Sequence, residues 1–272
     1  MLLQRVLTAL ILAPLAIAIV LWPPTGIFAL LCAGAFLAAW WEWEQLSGLK
    51  SRTASIALLL AAVAVFALLW WGHAGVETPL LLLLGVAWWL VACLWLRHFA
   101  FAAAPTSENR ALKLLAGALI IFPAWIALVA IHDREAHGHW WTMLALLIVW
   151  SADIGAYFSG RAFGKRKLAP QISPGKTWAG AYGALAAGTL IALIGGWLLD
   201  VRGASLVGLA ILACLTVAAS IVGDLIESLM KRHAKVKDSG SIFPGHGGLL
   251  DRLDSVFAAL PVFATGLWLL GL

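Results

Sequence analysis

Charged residues in this hydrophobic chain gather near its C-terminal end. The stretch KRHAKVKDSGSIFPGHGGLLDRLDS, residues 231–255, begins with lysines and arginines ahead of Asp238 and ends with two aspartates around Arg252. A glycine cluster that contains His246 lies between them. Cations bind phosphate groups, carboxylates bind metal ions, and glycines let the backbone approach a ligand closely. The combination is typical of a site for a phosphorylated substrate and a metal ion.

Two acidic pairs accompany this stretch. Asp224 and Glu227 are spaced i, i+3, as are Asp251 and Asp254, so each pair lies on one face of a predicted helix. Mg²⁺ takes one or two carboxylates and completes its shell with water and substrate phosphate. Asp224 and Asp251 are therefore candidate Mg²⁺ ligands. Salt bridges to neighbouring basic residues are the alternative reading of the same aspartates.

A second basic stretch, ISPGKT, precedes a predicted helix and includes Ser173, Lys176 and Thr177. Backbone N–H groups at a helix N-terminus bind phosphate oxygens, and a lysine adds positive charge. The letters GKT resemble the end of a Walker A loop, although the full spacing is absent because residue 170 is proline. Phosphate binding and simple attraction to anionic lipid both remain open for this segment.

The composition indicates which class of structure positions these residues. Hydrophobic residues make up 63% of the 272 and charged residues 11%, with 16 tryptophans. A soluble domain is about 25% charged, and tryptophan is enriched at membrane interfaces. A soluble globular domain is thereby excluded, and we expect an all-α polytopic membrane protein.

About nine apolar runs in the sequence are long enough to cross a bilayer. We expect helices 1–5 within residues 1–138, and helices 6–9 within residues 139–272, where two cytoplasmic loops form the catalytic site. The predicted spans are about 6–22, 26–43, 54–71, 79–96, 113–131, 139–159, 177–199, 205–223 and 253–271.

Charge placement predicts the orientation of these spans. If the N-terminus is cytoplasmic, all of the 18 lysines and arginines except Arg134 and Arg202 fall on the cytoplasmic side, as the positive-inside rule requires. The C-terminus then lies on the opposite side. Asp153, inside the sixth span, either pairs with Arg161 or faces the polar cavity.

A family resemblance now becomes specific. The run SLMKRHAKVKDSGSIFPGHGGLLDRLD, from Ser228 to Asp254, resembles the signature of the phosphatidate cytidylyltransferases, or CDP-diacylglycerol synthases. The upstream segments GAYFSGRAFGKRKLAPQISPGKTWAG and GDLIESLMKR resemble family segments in the same order. The resemblance covers roughly residues 145–272, whereas the earlier helices match only as generic hydrophobic spans.

The resemblance implies the reaction of CTP with phosphatidic acid to give CDP-diacylglycerol and pyrophosphate. It also implies that Asp224 and Asp251 hold Mg²⁺, with a second cation such as K⁺ left open. The residues expected to act in catalysis are Asp224, Asp251, Lys231, Arg232, Lys237, Asp238, His246, Arg252 and Asp254. Those expected to bind substrate are Ser173, Lys176, Thr177, Arg161, Lys167, Gly247 and Gly248.

The expected partners are CTP, phosphatidic acid and membrane lipids, without nucleic acid. A homodimer through the small residues Gly183, Ala187 and Gly188 is a further expectation. We expect a multi-pass protein of a bacterial inner membrane with its site facing the cytoplasm. The alternatives are a CTP-dependent lipid kinase and a protein that binds or transports anionic lipid.

Overall fold

The computed structural model describes residues 13–73, 75, 77–242 and 247–272. Eight helices in this part of the chain are long and apolar enough to cross a membrane, which confirms the all-α polytopic class. A ninth helix, α1, is described over residues 13–21, whereas the start predicted for it at residue 6 lies outside the described residues. The other helices are α2 (Thr25–Leu46), α3 (Arg52–Gly72), α4 (Glu77–Leu96), α5 (Ser107–His132), α6 (Gly138–Phe163), α7 (Trp178–Leu198), α8 (Gly203–Ala234) and α9 (Leu250–Leu270).

Contacts between the connections test the order of the helices. At one end of the bundle, His233 Nε2 lies 2.7 Å from the Phe99 carbonyl oxygen, so the α4–α5 connection meets the end of α8. At the other end, His73 Nε2 lies 3.2 Å from Asp133 Oδ2, so the α3–α4 and α5–α6 connections meet. Successive connections therefore alternate between the two ends, as the predicted spans require. We call the end that carries residues 47–51, 97–106, 164–177, 235–242 and 247–249 the charged end.

The core of the bundle is centred on α5 and α9, the most deeply buried of the candidate spans. Trp125 on α5 donates its indole N–H to the Ala29 carbonyl of α2 at 3.1 Å. Trp43 on α2 donates in the same way to the Lys113 carbonyl of α5 at 2.7 Å. These two buried indole rings thus have acceptors for their N–H groups, which would otherwise be costly in a core surrounded by lipid. These contacts fix the end of α2 beside the start of α5.

The eighth helix differs from its prediction. We expected the apolar span to end near residue 223, with Asp224 and Glu227 at its cytoplasmic end, but α8 continues to Ala234 and stops at Lys235, which has a left-handed backbone. The extension survives because its residues lie against protein rather than lipid. Leu225, Ile226 and Leu229 are buried there. Asp224 and Glu227 are consequently held on a rigid helix.

A small β-hairpin in the connection between α6 and α7 was also not predicted. Strand β1 (Lys167–Ala169) pairs antiparallel with β2 (Ser173–Thr177). Ser173 and Lys176, which we predicted at the start of the seventh helix, belong to β2, the strand that directly precedes α7 at Trp178. Thr177 caps that helix, since its hydroxyl accepts the Gly180 N–H at 3.1 Å.

Helices α6 and α7 pack at very short range. A Cβ atom on Gly155 of α6 would lie 2.5 Å from the Gly183 carbonyl oxygen and 2.7 Å from Ala187 Cβ. A Cβ on Gly188 would lie 2.5 Å from a methyl group of Val217 on α8. The small residues that we predicted for a dimer interface thus make close contacts inside the chain, and the homodimer stays a prediction.

Candidate active site

A cavity of about 420 Å³ opens between α6, β2, α7 and α8 near the charged end. Its volume falls in the range that small-molecule sites occupy, about 300 to 1,000 Å³. The polar groups that line it come from separate elements: Asp153 and Arg161 from α6, Lys176 from β2 and Asp224 from α8. Its walls combine these charges with the apolar side chains of Leu168 and Ile221. Such a cavity suits a ligand with both charged and apolar parts.

Lys176 and Asp224 form an ion pair in this cavity. The Lys176 ammonium lies 2.5 Å from Asp224 Oδ2, and the Ser228 hydroxyl donates to Asp224 Oδ1 at 3.3 Å. Both charged side chains are partly exposed, about a quarter of each, so a ligand can reach them. The fold thus joins a predicted phosphate-binding lysine to a predicted metal ligand.

Asp153 lines the cavity. Of the two predicted environments, pairing with Arg161 and facing the polar cavity, the structure shows the second. It interacts electrostatically with Asp224, Lys176 and Arg252. Arg161 lines the same cavity, but its guanidinium donates to the Tyr157 hydroxyl at 3.0 Å. Asp153 therefore belongs to the acidic set of the site.

Asp251 lies in a second cluster, where its carboxylate is fully engaged. Its Oδ1 atom lies 2.6 Å from the Lys231 ammonium. Its Oδ2 atom accepts the N–H groups of Ser239 and Gly248, each at 2.9 Å, and lies 3.0 Å from the Ser239 hydroxyl. Asp251 consequently ties the 235–249 connection to the start of α9.

Glu227 and Asp254 connect the two clusters. Glu227 is 1% exposed, and neither of its carboxylate oxygens accepts a hydrogen bond from the described residues. The Lys231 ammonium is 3.4 Å from Glu227 Oε1. Asp254 interacts electrostatically with both Glu227 and Asp224. Neighbouring carboxylates of this kind favour a bound cation, which would offset their negative charge.

The other predicted residues are spread around these clusters. The Arg232 guanidinium donates to the Ile172 carbonyl at 3.2 Å, which ties α8 to the hairpin. Gly247 has a positive φ of 80°, and a Cβ there would lie 2.6 Å from Asp251 Oδ2. His246 lies outside the described residues. The side chains that lie exposed at the charged end without a described place in the cavity are Lys167, Lys237 and Asp238.

Sequence reasoning missed Glu42, an acidic residue of α2 that reaches this site. It is 1% exposed and accepts hydrogen bonds from the N–H groups of Leu249 at 3.1 Å and Leu250 at 2.8 Å. The Ser239 hydroxyl donates to it at 2.9 Å. A signal was present, since an ionisable residue within an apolar span is a candidate for function.

Fold and site together define an integral membrane protein with an ionic cavity where several helices end. Comparison with known proteins makes the class particular. A sequence model described as the cytidylyltransferase family matches residues 3–270. The chain belongs to this family, and it is a nucleotidyltransferase enzyme.

Three curated relatives share the name phosphatidate cytidylyltransferase. The phosphatidate cytidylyltransferase of Pseudomonas aeruginosa is 41% identical over 272 residues, which cover 100% of this chain and 98% of the relative. That of Haemophilus influenzae is 39% identical over 286 aligned positions, covering 97% of this chain and 98% of the relative. That of Brucella suis is 43% identical over 142 residues, 49% of each chain.

Proposed function

We propose that this protein is a phosphatidate cytidylyltransferase, which converts CTP and phosphatidic acid to CDP-diacylglycerol and pyrophosphate. The observation that carries the proposal is similarity over the full length to relatives of that name. The cavity supports it independently, because its charged groups lie beside apolar walls where membrane helices end. CTP is an aqueous polyanion, whereas phosphatidic acid keeps its phosphate at the headgroup level, and a site at this position meets both.

The reaction exchanges one phosphorus–oxygen bond for another. A phosphate oxygen of phosphatidic acid attacks the α-phosphorus of CTP, and the bond from that phosphorus to the pyrophosphate oxygen breaks. The attacking phosphate is already ionised near neutral pH, so no strong general base is needed. Catalysis of this kind rests on positioning and on charge neutralisation.

Basic side chains of the site suit these two tasks. Lys176 and Arg161 line the cavity and are placed to bind phosphate oxygens. Lys176 must exchange Asp224 for a phosphate oxygen when substrate enters, a step that its partial exposure allows. Lys231 is held by Glu227 and Asp251, so its charge stays fixed at the border of the site. Arg252 interacts with the acidic set from α9 and adds a further cation.

A divalent cation, Mg²⁺, completes the proposal. In the described residues no group of three His, Cys, Asp or Glu side chains is arranged to hold a metal by itself. Mg²⁺ nevertheless needs only one or two carboxylates when substrate phosphate and water supply the rest. The donor set fits such an ion, because Asp224 lines the cavity and neither oxygen of the buried Glu227 carboxylate accepts a hydrogen bond from the described residues. When bound, Mg²⁺ would neutralise charge on the triphosphate.

Asp224 and Asp251 remain the proposed Mg²⁺ ligands. Of the two, Asp224 would act directly, since it lines the cavity. Asp251 would have to release Lys231 or a backbone donor before it could bind the ion. K⁺ as a second cation would suit the surplus of carboxylates around Glu227 and Asp254.

We further propose that the protein lies in the inner membrane with the charged end facing the cytoplasm. Basic residues cluster at that end, and the positive-inside rule places them with the CTP pool. A homodimer and contacts with other membrane lipids stay part of this proposal.

Product analysis tests the function. The purified protein in detergent micelles is incubated with CTP, Mg²⁺ and phosphatidic acid of one acyl composition, and the lipids are analysed by mass spectrometry. We expect a lipid heavier by one cytidine monophosphate unit. A lipid heavier by one phosphoryl group instead would identify a CTP-dependent kinase, and unchanged lipid that remains bound to the protein would indicate a binding or transport protein.

A further inference from the structure

The carboxylate of Glu42 reaches across the bundle to the site. Glu42 lies near the end of α2, yet the hydrogen bonds that its carboxylate accepts within the described residues come from Ser239, Leu249 and Leu250. Its Oε1 atom accepts the Leu249 N–H, and its Oε2 atom accepts the Leu250 N–H and the Ser239 hydroxyl. A buried carboxylate with three donors is fully compensated for its loss of water.

Two of these donors are the N–H groups where α9 begins. The first N–H groups of a helix have no partner within the helix and need an acceptor from elsewhere. The residue at the cap position of α9, Leu249, has no side chain that could supply one. Glu42 supplies it from another helix, and its negative charge suits the positive end of the α9 dipole.

Ser239 connects Glu42 to Asp251. Its hydroxyl lies 2.9 Å from Glu42 Oε2 and 3.0 Å from Asp251 Oδ2, so its single hydrogen is shared between two carboxylates. Asp251 in turn binds the Lys231 ammonium at 2.6 Å. A continuous chain of contacts therefore runs from α2 through the 235–249 connection to α8 and α9.

Glycines give Glu42 the room that this arrangement needs. A Cβ atom on Gly248 would collide with Glu42 Oε2 and with the Ser239 hydroxyl. A Cβ on Gly240 would collide with Glu42 Oε1. Both positions thus require glycine for the same reason, since the backbone passes directly over the carboxylate.

We infer that Glu42 is a positioning residue for the nucleotidyl transfer, one that holds Ser239 and the start of α9 in register with α8. The catalytic role of Glu42 rests on the proposed function, whereas its structural role does not. Glu42 is not among the residues that line the cavity, and its described hydrogen bonds go to Ser239, Leu249 and Leu250, so it acts through Ser239 and Asp251. The N-terminal half of the chain is thereby part of the active-site architecture.

Glu42→Gln is the informative change, and Glu44→Gln is its matched control. The glutamine keeps the size of the side chain but replaces one acceptor oxygen with a donor that faces N–H groups. Glu44 is also buried on α2, but it accepts a hydrogen bond from Ser55 on α3, and none of its described hydrogen bonds involves Ser239, Leu249 or Leu250. General loosening of α2 would appear in both variants, whereas loss of the proposed contact would appear only in Glu42→Gln.

Hydrogen exchange measured by mass spectrometry tests the structural part without any activity. In Glu42→Gln we expect peptides containing Leu249 and Leu250 to exchange about tenfold faster than in wild type. Glu44→Gln should leave those peptides at the wild-type rate. Unchanged exchange in Glu42→Gln, or equal acceleration in both variants, would overturn the inference.

Steady-state kinetics tests the catalytic part. We expect kcat to fall about tenfold or more in Glu42→Gln, because the start of α9 is no longer held in place. KM for CTP should change less than about threefold, because the groups that line the cavity keep their own contacts. Glu42→Asp keeps the charge and should retain more activity than the glutamine variant. Wild-type kcat despite faster exchange would overturn the positioning role. A wild-type enzyme without transfer activity would refute the proposed function, and the exchange data would still decide on the contact.

Discussion

At the scale of single residues, the site is defined by charges that satisfy one another until a ligand intervenes. Lys176 neutralises Asp224 across the cavity, and Lys231 neutralises Asp251 beside it. Each pair unites a group suited to phosphate with a group suited to a cation. A nucleotide with its metal ion would present both charges at once, so each side chain could exchange its partner without a charge being left uncompensated.

Lys176→Met tests the phosphate-binding role of this lysine. We expect kcat/KM for CTP to fall by about tenfold to a hundredfold, because a charge-assisted contact to phosphate is lost. Lys165→Met is the matched control, since Lys165 is an exposed cation of the same connection that does not line the cavity. Its kcat/KM should stay at the wild-type value.

The double variant Lys176→Met with Asp224→Asn separates this role from simple pairing. If Lys176 only neutralised Asp224, removal of both charges would restore wild-type activity. We expect no such recovery, because both side chains are proposed to meet the nucleotide and its metal ion. Restored activity in the double variant would contradict the phosphate-binding role.

Many of these residues could be predicted from sequence, but their partners could not. The acidic and basic types of Asp224, Lys176 and Asp251 stand out against an apolar chain. Their pairing depends on which helix ends meet in space, which local spacing does not encode. The sequence analysis did not assign Glu42 to the site, because the residues that it contacts lie about 200 positions further along the chain. No local sequence pattern connects residues that far apart.

At the scale of elements, close helix packing sets the width of the cavity. Gly155 and Gly183 let α6 and α7 approach until backbone meets backbone. Helix α6 carries Asp153 and Arg161, which line the cavity. Helix α7 begins directly after β2, the strand that contributes Lys176 to the same cavity. A change in their separation would therefore displace charged groups that must act together.

Gly155→Val tests this relation. The added side chain would contact the Gly183 carbonyl and Ala187, so α6 and α7 must separate. We expect a loss of stability of about 1 to 3 kcal/mol, typical of overpacking, together with reduced turnover. Thermal unfolding in detergent and initial rates measure the two effects.

Gly34→Val is the control for that substitution. Gly34 lies on α2, and a Cβ there meets nothing within 4 Å. This variant should unfold near the wild-type temperature and keep its activity. Equal behaviour of the two variants would contradict the assigned role of the α6–α7 contact.

Element boundaries show where sequence reasoning stops. The apolar runs located the helices, because lipid demands continuous hydrophobic length. The same criterion ended α8 too early, since residues after Gly223 are charged yet face protein instead of lipid. It also missed the hairpin of β1 and β2, which is too short and irregular to leave a periodic signal.

At the scale of the whole molecule, the charged residues lie at one end of a bundle of membrane helices. The alternation of contacts between connections supports the helix order, and the distribution of lysine and arginine supports an orientation with the charged end in the cytoplasm. The polar nucleotide and the membrane lipid could then approach the cavity from different directions.

Cysteine labelling tests the orientation. In a variant without Cys32, Cys93 and Cys214, single substitutions Lys165→Cys and Arg202→Cys place a thiol at opposite ends of the bundle. A membrane-impermeant maleimide should label Arg202→Cys in intact spheroplasts and Lys165→Cys only after the membrane is permeabilised. The reverse pattern would contradict the proposed orientation.

The most direct measurement of the central claim is pyrophosphate release by the purified protein with CTP, Mg²⁺ and phosphatidic acid. We expect release that requires the lipid and that falls by at least about a hundredfold in Asp224→Asn, as expected for a group that acts on the reacting phosphates. Asp200→Asn is the control, because Asp200 is exposed at the opposite end and pairs with Arg202; it should match wild type. Release without lipid, or full activity in Asp224→Asn, would refute the proposed transfer reaction and the role of Asp224 in it.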